Sequence, residues 1–579
     1  MFYSAQSVST SSAPFSDLLR DCLYSTAACL SGCVVQCGRL CRPKLRSSEI
    51  APVVRQRVLR RQRSGSHNSD HHEPMDIHTL LVRPDPSRSL RKSYRTVSQL
   101  GKGGFGSVYR VEYLPTGEER AIKMMPKPQD PTERERVLTE VQLLITLDHP
   151  SIEKFYELFE DAKVICLVTE LCLGGNMGEL NPQYDSTEEI RKLFHDVVAA
   201  VSYCHSQGVV HRDLKFENVL LTRPEPDQRR MAKVIDFGLS SLRPESGRGG
   251  DRWMDEAVGT VYFIAPEVIR TDGAWRSKYG PKCDMWSIGV MLYIVYTDQH
   301  PFAKSAMRAS QILKKIRGQE MRLEPLQGAH VPKDVKDLTA KLLQKDPATR
   351  LSGREALRHA YFRGPLSPRL AARGATCEEI RSIFSRVCSF SRFSRFEKAL
   401  MTIVAHDARS REIEDLRLAF ECLDVDGAGW LSRDGIVRAL TSKGLQLSKA
   451  DLDATFEALD PDGDDKIMYT DWLAATIEPS LLTKERALKE MFDFFDIHGN
   501  GQVSRSDLIE VLGDEVARRG GKAENSLPEE FDCSPHKDRD VTWEEFQCLI
   551  KRIALSLQAR EKEEELARSQ SPMQSEASC

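Results

Sequence analysis

Two stretches of this chain carry side chains that could move a phosphoryl group: VVHRDLKFENVL at 209–220 and AKVIDFGLS at 232–240. Such a transfer asks little covalent chemistry of a protein. It needs the phosphates held, positive charge placed beside them, and the attacking hydroxyl oriented. Asp213 is of the type that orients a hydroxyl and accepts its proton, and Lys215, two residues on, can neutralise the group in flight. Asn218 and Asp236 are hard oxygen donors suited to Mg²⁺, which prefers oxygens and bridges phosphates.

These groups need elements that grip a nucleotide. From Tyr94 the run YRTVSQLGKGGFGSVYRVEY alternates as a strand, turns through Gly101, Gly103 and Gly106, and leaves through Val108 as a second strand. A strand after the glycines, where a dinucleotide fold would have a helix, favours a glycine flap over ATP phosphates. In ERAIKMM, Lys123 sits on an apolar strand and needs a partner; the helical pattern ERVLTEVQLLITLDHP offers Glu140.

With GTVYFIAPE (259–267), DMWSIGV (284–290) and KDPATR (345–350), residues 94–362 resemble a protein kinase domain, a bilobal α+β fold. The resemblance implies that Lys123 and Glu140 form an ion pair, that Glu267 pairs with Arg350, and that Thr260 supports the catalytic loop. Thr169 would be the gatekeeper before a hinge of Glu170, Leu171 and Cys172. The ATP site would then be lined by Leu100, Gly101, Lys102, Gly103, Gly104, Phe105, Gly106, Val108, Lys123, Thr169, Glu170 and Cys172, with Mg²⁺ on Asn218 and Asp236. Phe216 stands where the family has Pro. Asn176 replaces an acid that binds basic substrate residues, while Glu217 remains, which weakens a preference for acceptors near basic residues without removing it. Asp255 and Glu256 either stand in for an activation-loop phosphate or form a solvated acidic turn.

Four calcium-loop patterns follow, starting at Asp424, Asp460, Asp496 and Ser534, at intervals of 36, 36 and 38 residues. Their eighth positions are Leu431, Ile467, Val503 and Val541, which suit the short β-bridge of paired EF-hands. Competence to bind Ca²⁺ varies. The first loop has Ala428 and Gly435 at ligand positions and is expected empty. The second offers Asp460, Asp462, Asp464, the Lys466 carbonyl and Asp471, although Asp465 takes the place of the turn Gly. The third offers Asp496, His498, Asn500, Gln502 (by its carbonyl) and Asp507, where His498 is a poor ligand and Asp507 is a methylene short. The fourth keeps Asp538 and Glu545 but opens on Ser534.

A kinase domain joined to four EF-hands resembles the calcium-dependent protein kinases of plants and apicomplexan parasites. Between the units, residues 385–407 place Phe390, Phe393, Leu400, Ile403 and Val404 near one helical face among Arg386, Arg392, Arg395 and Lys398. A basic amphipathic helix reads as an EF-hand target, and in that family the junction blocks the kinase until calcium moves it. A helix that only packs the units together is the plainer alternative.

The expected organisation is a disordered extension (1–93), kinase domain (94–362), junction (363–412), all-α EF-hand domain (413–552) and tail (553–579). A formal net charge of −3 argues against nucleic acid as a partner. The scattered cysteines suit a reducing, cytoplasmic setting. No run of 18 apolar residues suggests a membrane span, and residues 22–38 lack the flanks of a signal peptide. Cys29, Cys33, Cys37 and Cys41 recur every four residues before a basic tract, a pattern for S-acylation at a membrane face; a zinc site and an unmodified tail are the alternatives. Phe2 excludes N-myristoylation.

The leading reading is a serine/threonine kinase using ATP and Mg²⁺, controlled by Ca²⁺ through the EF-hands. Its rivals are an active kinase with structural EF-hands and a non-catalytic calcium-sensing scaffold; the set Lys123, Asp213, Asn218 and Asp236 argues against the last.

Overall fold

The computed structural model describes residues 90–103, 106–160, 163–222, 230–237, 241–242, 260–269, 280–303, 307–328, 331–362, 377–408, 410–442, 449–460, 463–497, 499–504, 506–508 and 540–570. The N-terminal cysteines and basic tract, Gly104, Phe105, Asp255, Glu256, Asp462, His498, Ser534 and Asp538 lie outside the described residues.

The first lobe is a five-stranded antiparallel sheet, β1 (Tyr94–Gly103), β2 (Gly106–Tyr113), β3 (Glu118–Pro126), β4 (Phe155–Glu160) and β5 (Val164–Glu170), in the order β1-β2-β3-β5-β4. Strand β2 reads GSVYRVEY and buries every second residue, as a sheet with one covered face requires. Its register sets Val108 beside Lys123, and Lys123 beside Leu167 on β5. Gly106 closes the β1–β2 hairpin at φ 144°, where a Cβ would lie 2.1 Å from the Met124 carbonyl oxygen, so only glycine fits. Helix α1 (Pro131–Thr146) carries Glu140 toward this sheet.

The second lobe is helical. Helix α2 (Thr187–Ser206) starts where the Ser186 hydroxyl accepts from the Glu189 N–H. Helix α3 (Lys282–Thr297) is apolar nearly all round and runs through the core. Two short strands, β6 (Val219–Leu221) and β7 (Ala232–Val234), pair antiparallel between the catalytic loop and Asp236.

The junction departs from the single helix expected over 385–407. It is two helices, α4 (Cys377–Ser391) and α5 (Arg395–Asp407). Ser394 ends the first by capping the second: its hydroxyl accepts from Glu397 N–H while the Glu397 carboxylate takes Ser394 N–H. Phe390, Phe393, Leu400, Ile403 and Val404 are all buried in one core with the EF-hand helices, so both junction helices are packed into that domain.

That domain comprises α6 (Ser410–Leu423), α7 (Arg433–Ser442), α8 (Lys449–Leu459), α9 (Tyr469–Thr476), α10 (Glu485–Phe495) and α11 (Trp543–Gln570). Leu431 bridges Ile467, and β8 (Gln502–Val503) pairs with β9 (Val541–Thr542), so the eighth loop positions meet pairwise. Among the described residues no helix is long and apolar enough to cross a membrane.

The EF-hand domain leans on the kinase. Both Asp148 carboxylate oxygens are taken by Thr470, from its N–H at 2.7 Å and its hydroxyl at 2.8 Å. Arg120, 2% exposed, lies over the rings of Tyr113 and Tyr156 and within 3.7 Å of Asp407 on α5 and Glu490 on α10.

Candidate active site and calcium loops

The catalytic loop is held by a residue that the sequence reading left without a role. Asp284, in the first turn of α3, accepts the N–H groups of His211 and Arg212, both at 2.9 Å, and contacts His205 Nε2 at 2.8 Å. Burial would raise its pKa, but these donors outweigh it and hold the carboxyl below its ordinary range. The restraint matters because Arg212 sits at φ 69° and Asp236 at φ 64°, a conformation that non-glycine residues rarely adopt and that surrounding contacts must enforce. An acid opening an otherwise apolar helix was the available signal.

Within the loop, Asp213 Oδ2 takes Lys215 Nζ at 2.6 Å and Asn218 Nδ2 at 3.1 Å. Asn218 Nδ2 also reaches the Asp213 carbonyl at 2.8 Å. Asp213 Oδ1 is buried and has no hydrogen-bond partner. A buried carboxylate oxygen left without a donor costs free energy unless something else supplies one.

Lys123 Nζ lies 2.6 Å from Glu140 Oε1 and 3.2 Å from Asp236 Oδ1. Burial alone would lower its pKa, yet the two carboxylates raise it above its ordinary range, so the ammonium stays charged. Asp236 is likewise pushed up by burial and pulled down further by Lys123, and stays ionised. The hard oxygens of Asn218 and Asp236 suit Mg²⁺ by donor type. Glu267 and Arg350 form a two-pronged pair at 2.6 and 2.9 Å. Thr260 opens a 3₁₀ turn ending at Phe263.

Of the residues assigned to the nucleotide, Leu100, Gly101, Lys102 and Gly103 lie on β1, Gly106 and Val108 on β2, and Thr169 ends buried on β5. The Glu170 side chain turns elsewhere: it accepts from Lys154 N–H at 2.9 Å and Lys233 Nζ at 2.8 Å, while its own N–H donates to the Lys154 carbonyl at 2.9 Å. Burial raises the Cys172 thiol well above its usual range, so it stays protonated.

The loops differ. In the first, Asp424 accepts from Ala428 and Gly429 N–H, and Asp426 is taken by Arg438 and by Arg358 of the kinase lobe, the latter at 3.1 Å. Gly427 and Gly429 press on that lobe; a Cβ at Gly429 would lie 2.4 Å from the Tyr203 ring. In the second, Asp460 accepts from Asp464 and Asp465 N–H, and Asp465 makes the turn at φ 63° in place of glycine, while Asp471 stands in the first turn of α9. Lys466, expected only for its carbonyl, sets its ammonium 2.6 Å from the Asp464 carboxylate. In the third, Asp496 accepts from Asn500 and Gly501 N–H, and Gln502 N–H donates to Asn500 Oδ1. Asp507 caps Ser504, by its N–H at 2.7 Å and its hydroxyl at 2.6 Å. Among the described residues no three acidic, His or Cys side chains converge as a formed ion cage.

A protein kinase domain matches residues 94–362 and an EF-hand domain pair matches residues 413–477. The chain is 30% identical to calcium-dependent protein kinase 5 of Plasmodium falciparum, over 72% of this chain and 70% of that protein. It belongs to the calcium-dependent protein kinase family. Calcium-dependent protein kinase 22 of Arabidopsis thaliana is 29% identical over 82% of this chain and 93% of its own, and calcium-dependent protein kinase 3 of rice is 30% identical over 79% and 80%. The chain is therefore a serine/threonine protein kinase, and the family accounts for a regulatory EF-hand region behind an intact cleft.

Proposed function

We propose that this kinase transfers the γ-phosphoryl group of ATP to Ser and Thr hydroxyls of protein substrates, with Asp213 Oδ1 receiving the hydroxyl proton. The observation that carries this reading is that oxygen's lack of a partner while Oδ2 is fixed by Lys215 and Asn218. Lys215 then offers its ammonium to the group in transit, and Lys123, steadied by Glu140, holds the phosphates behind it. Mg²⁺ on Asn218 and Asp236 would screen the phosphate charge. Glu217, exposed beside this loop, favours acceptors near a basic residue.

Calcium control is assigned to the second and third loops, through Asp460, Asp464, Asp471, Asp496 and Asp507, with Asp462 and His498 completing the two sets. The first loop is read as a brace, since arginines take Asp426 and its glycines abut the kinase lobe. S-acylation of Cys29, Cys33, Cys37 and Cys41 would place the chain at a membrane face; changing all four to Ser should then release it from membrane fractions of its native cells.

The test is phosphorylation of a protein substrate by purified full-length chain, with calcium and with chelator, beside Asp213→Asn and Asp236→Ala. Activity lost in both variants and raised by calcium supports the reading. Retained activity in the variants overturns the roles given to these residues, and equal activity under chelation leaves the EF-hands as a brace throughout.

A further inference from the structure

Glu153 stands in the segment leading into β4, and no step of phosphoryl transfer uses it. Its N–H donates to the Val234 carbonyl at 3.0 Å, and its carboxyl hydrogen-bonds the Thr169 side chain. Thr169 is 4% exposed and pairs across the sheet with Ala121, two residues before Lys123. Among the described residues Glu153 has no ion-pair partner: Lys123 is held by Glu140 and Asp236, and Lys233 by Glu170.

Behind Glu153 lies a cavity of about 460 Å³ at the seam between the kinase and the EF-hand domain. Its far wall carries His406, Glu414 and Arg417, where Arg417 is tied to Glu414 and Glu421 and His406 faces Asp407. On the near side Lys154 and Lys233 join the lining, and the charges that bear on Glu153 are Lys123, Glu170 and Asp236. A single acid thus touches both the cavity and the residue read as the gatekeeper.

We propose that Glu153 is a positioning residue for the nucleotide site: its carboxyl fixes the Thr169 rotamer at the back wall, and the seam cavity gives that carboxyl its route to solvent. Threonine has few χ1 wells, and a change of well exchanges the hydroxyl and methyl that the wall presents. The assignment rests on the reading of Thr169 as part of the ATP site. Burial raises the Glu153 acid to about 7. As pH climbs past that value the carboxyl ionises, adding negative charge within electrostatic reach of Lys123, and the nucleotide's phosphates bind less well.

The experiment measures KM for ATP and kcat on the full-length kinase between about pH 6 and pH 8, one unit either side of that value. The nucleotide's own titration is common to all variants, so Glu153→Gln, which keeps a hydrogen-bonding side chain but cannot ionise, is the reference. Wild type should lose ATP affinity by about threefold more than Glu153→Gln across this range, with kcat little changed. Glu153→Leu should raise KM several-fold at low pH in the wild-type background and have no further effect on Thr169→Val, a coupling that a merely structural role would not produce. Matching pH profiles for wild type and Glu153→Gln, or equal effects of Glu153→Leu in both backgrounds, overturn the proposal. If Glu153→Leu fails to fold, the Gln comparison still decides. An inactive wild type overturns the kinase reading itself, a separate outcome from an active enzyme indifferent to position 153.

Discussion

The catalytic loop and the first calcium loop both set carboxylates against basic side chains, with opposite results. Lys215 occupies only one oxygen of Asp213 and leaves the other buried and bare, while Lys123 stands between two acids and keeps its charge. In the first calcium loop Arg358 and Arg438 close on Asp426, whereas the loop N–H bonds to Asp424 recur on Asp460 and Asp496 and do not set it apart. The cleft's cations leave room for another charged partner. The loop's arginines take its place. Counting acids therefore says little about where an ion binds; the neighbouring positive charge decides it.

The sharpest break in this comparison comes from the cleft. Asp213→Asn should lower kcat by about a thousandfold, since a general base contributes about 10²–10⁴. Its thermal midpoint should stay near wild type, and a steady-state assay with a melting curve checks both. Next comes the brace. Gly429→Ala places a Cβ 2.4 Å from Tyr203 at a φ of 82°, so denaturant unfolding should show a loss of about 1–3 kcal/mol. If stability and the docking of the first loop are unchanged, that loop is not a brace.

Acid should attack the same wall. His149 stacks on Tyr203 at 5.4 Å, and burial lowers its pKa from 6.5 to about 3. The unfolded chain takes up this proton first, so the stability is fully present above about 6.5 and is lost as pH falls toward 3, by about 1.4 kcal/mol per unit. His149→Phe should flatten that slope in unfolding curves measured across this window.

The smallest effect expected concerns the second calcium loop. Lys466→Met removes the ammonium 2.6 Å from Asp464 and should tighten calcium about threefold in calorimetry, while Asp460→Ala abolishes the same site. Unchanged binding in both variants would mean that the loop's carboxylates do not hold the ion.

The residues proposed for the cleft were legible because phosphoryl transfer restricts residue types, and the contacts present among them are those of Lys123 with Glu140 and Asp236 and of Asp213 with Lys215 and Asn218. The pairing of Leu431 with Ile467 and of Val503 with Val541 followed from a repeat period. What stayed hidden depended on partners far along the chain. Arg120 meets residues 407 and 490, and Asp284 reaches back to 211 and 212. The break in the junction was visible in principle, since Ser394 and Glu397 have capping-box spacing, but the apolar period running through both helices masked it.

Asp148 has one more consequence. Helix α9 begins without a side-chain cap of its own, and Asp148, from the kinase domain, supplies the carboxylate that its Thr470 N–H needs. The two parts of this chain are thus not interchangeable modules. A chimera grafting another protein's EF-hand region onto this kinase would leave Asp148 facing whatever residue the graft set there. The reverse graft would start a helix with an orphan donor. Recombination at this seam succeeds only when acceptor and donor travel together.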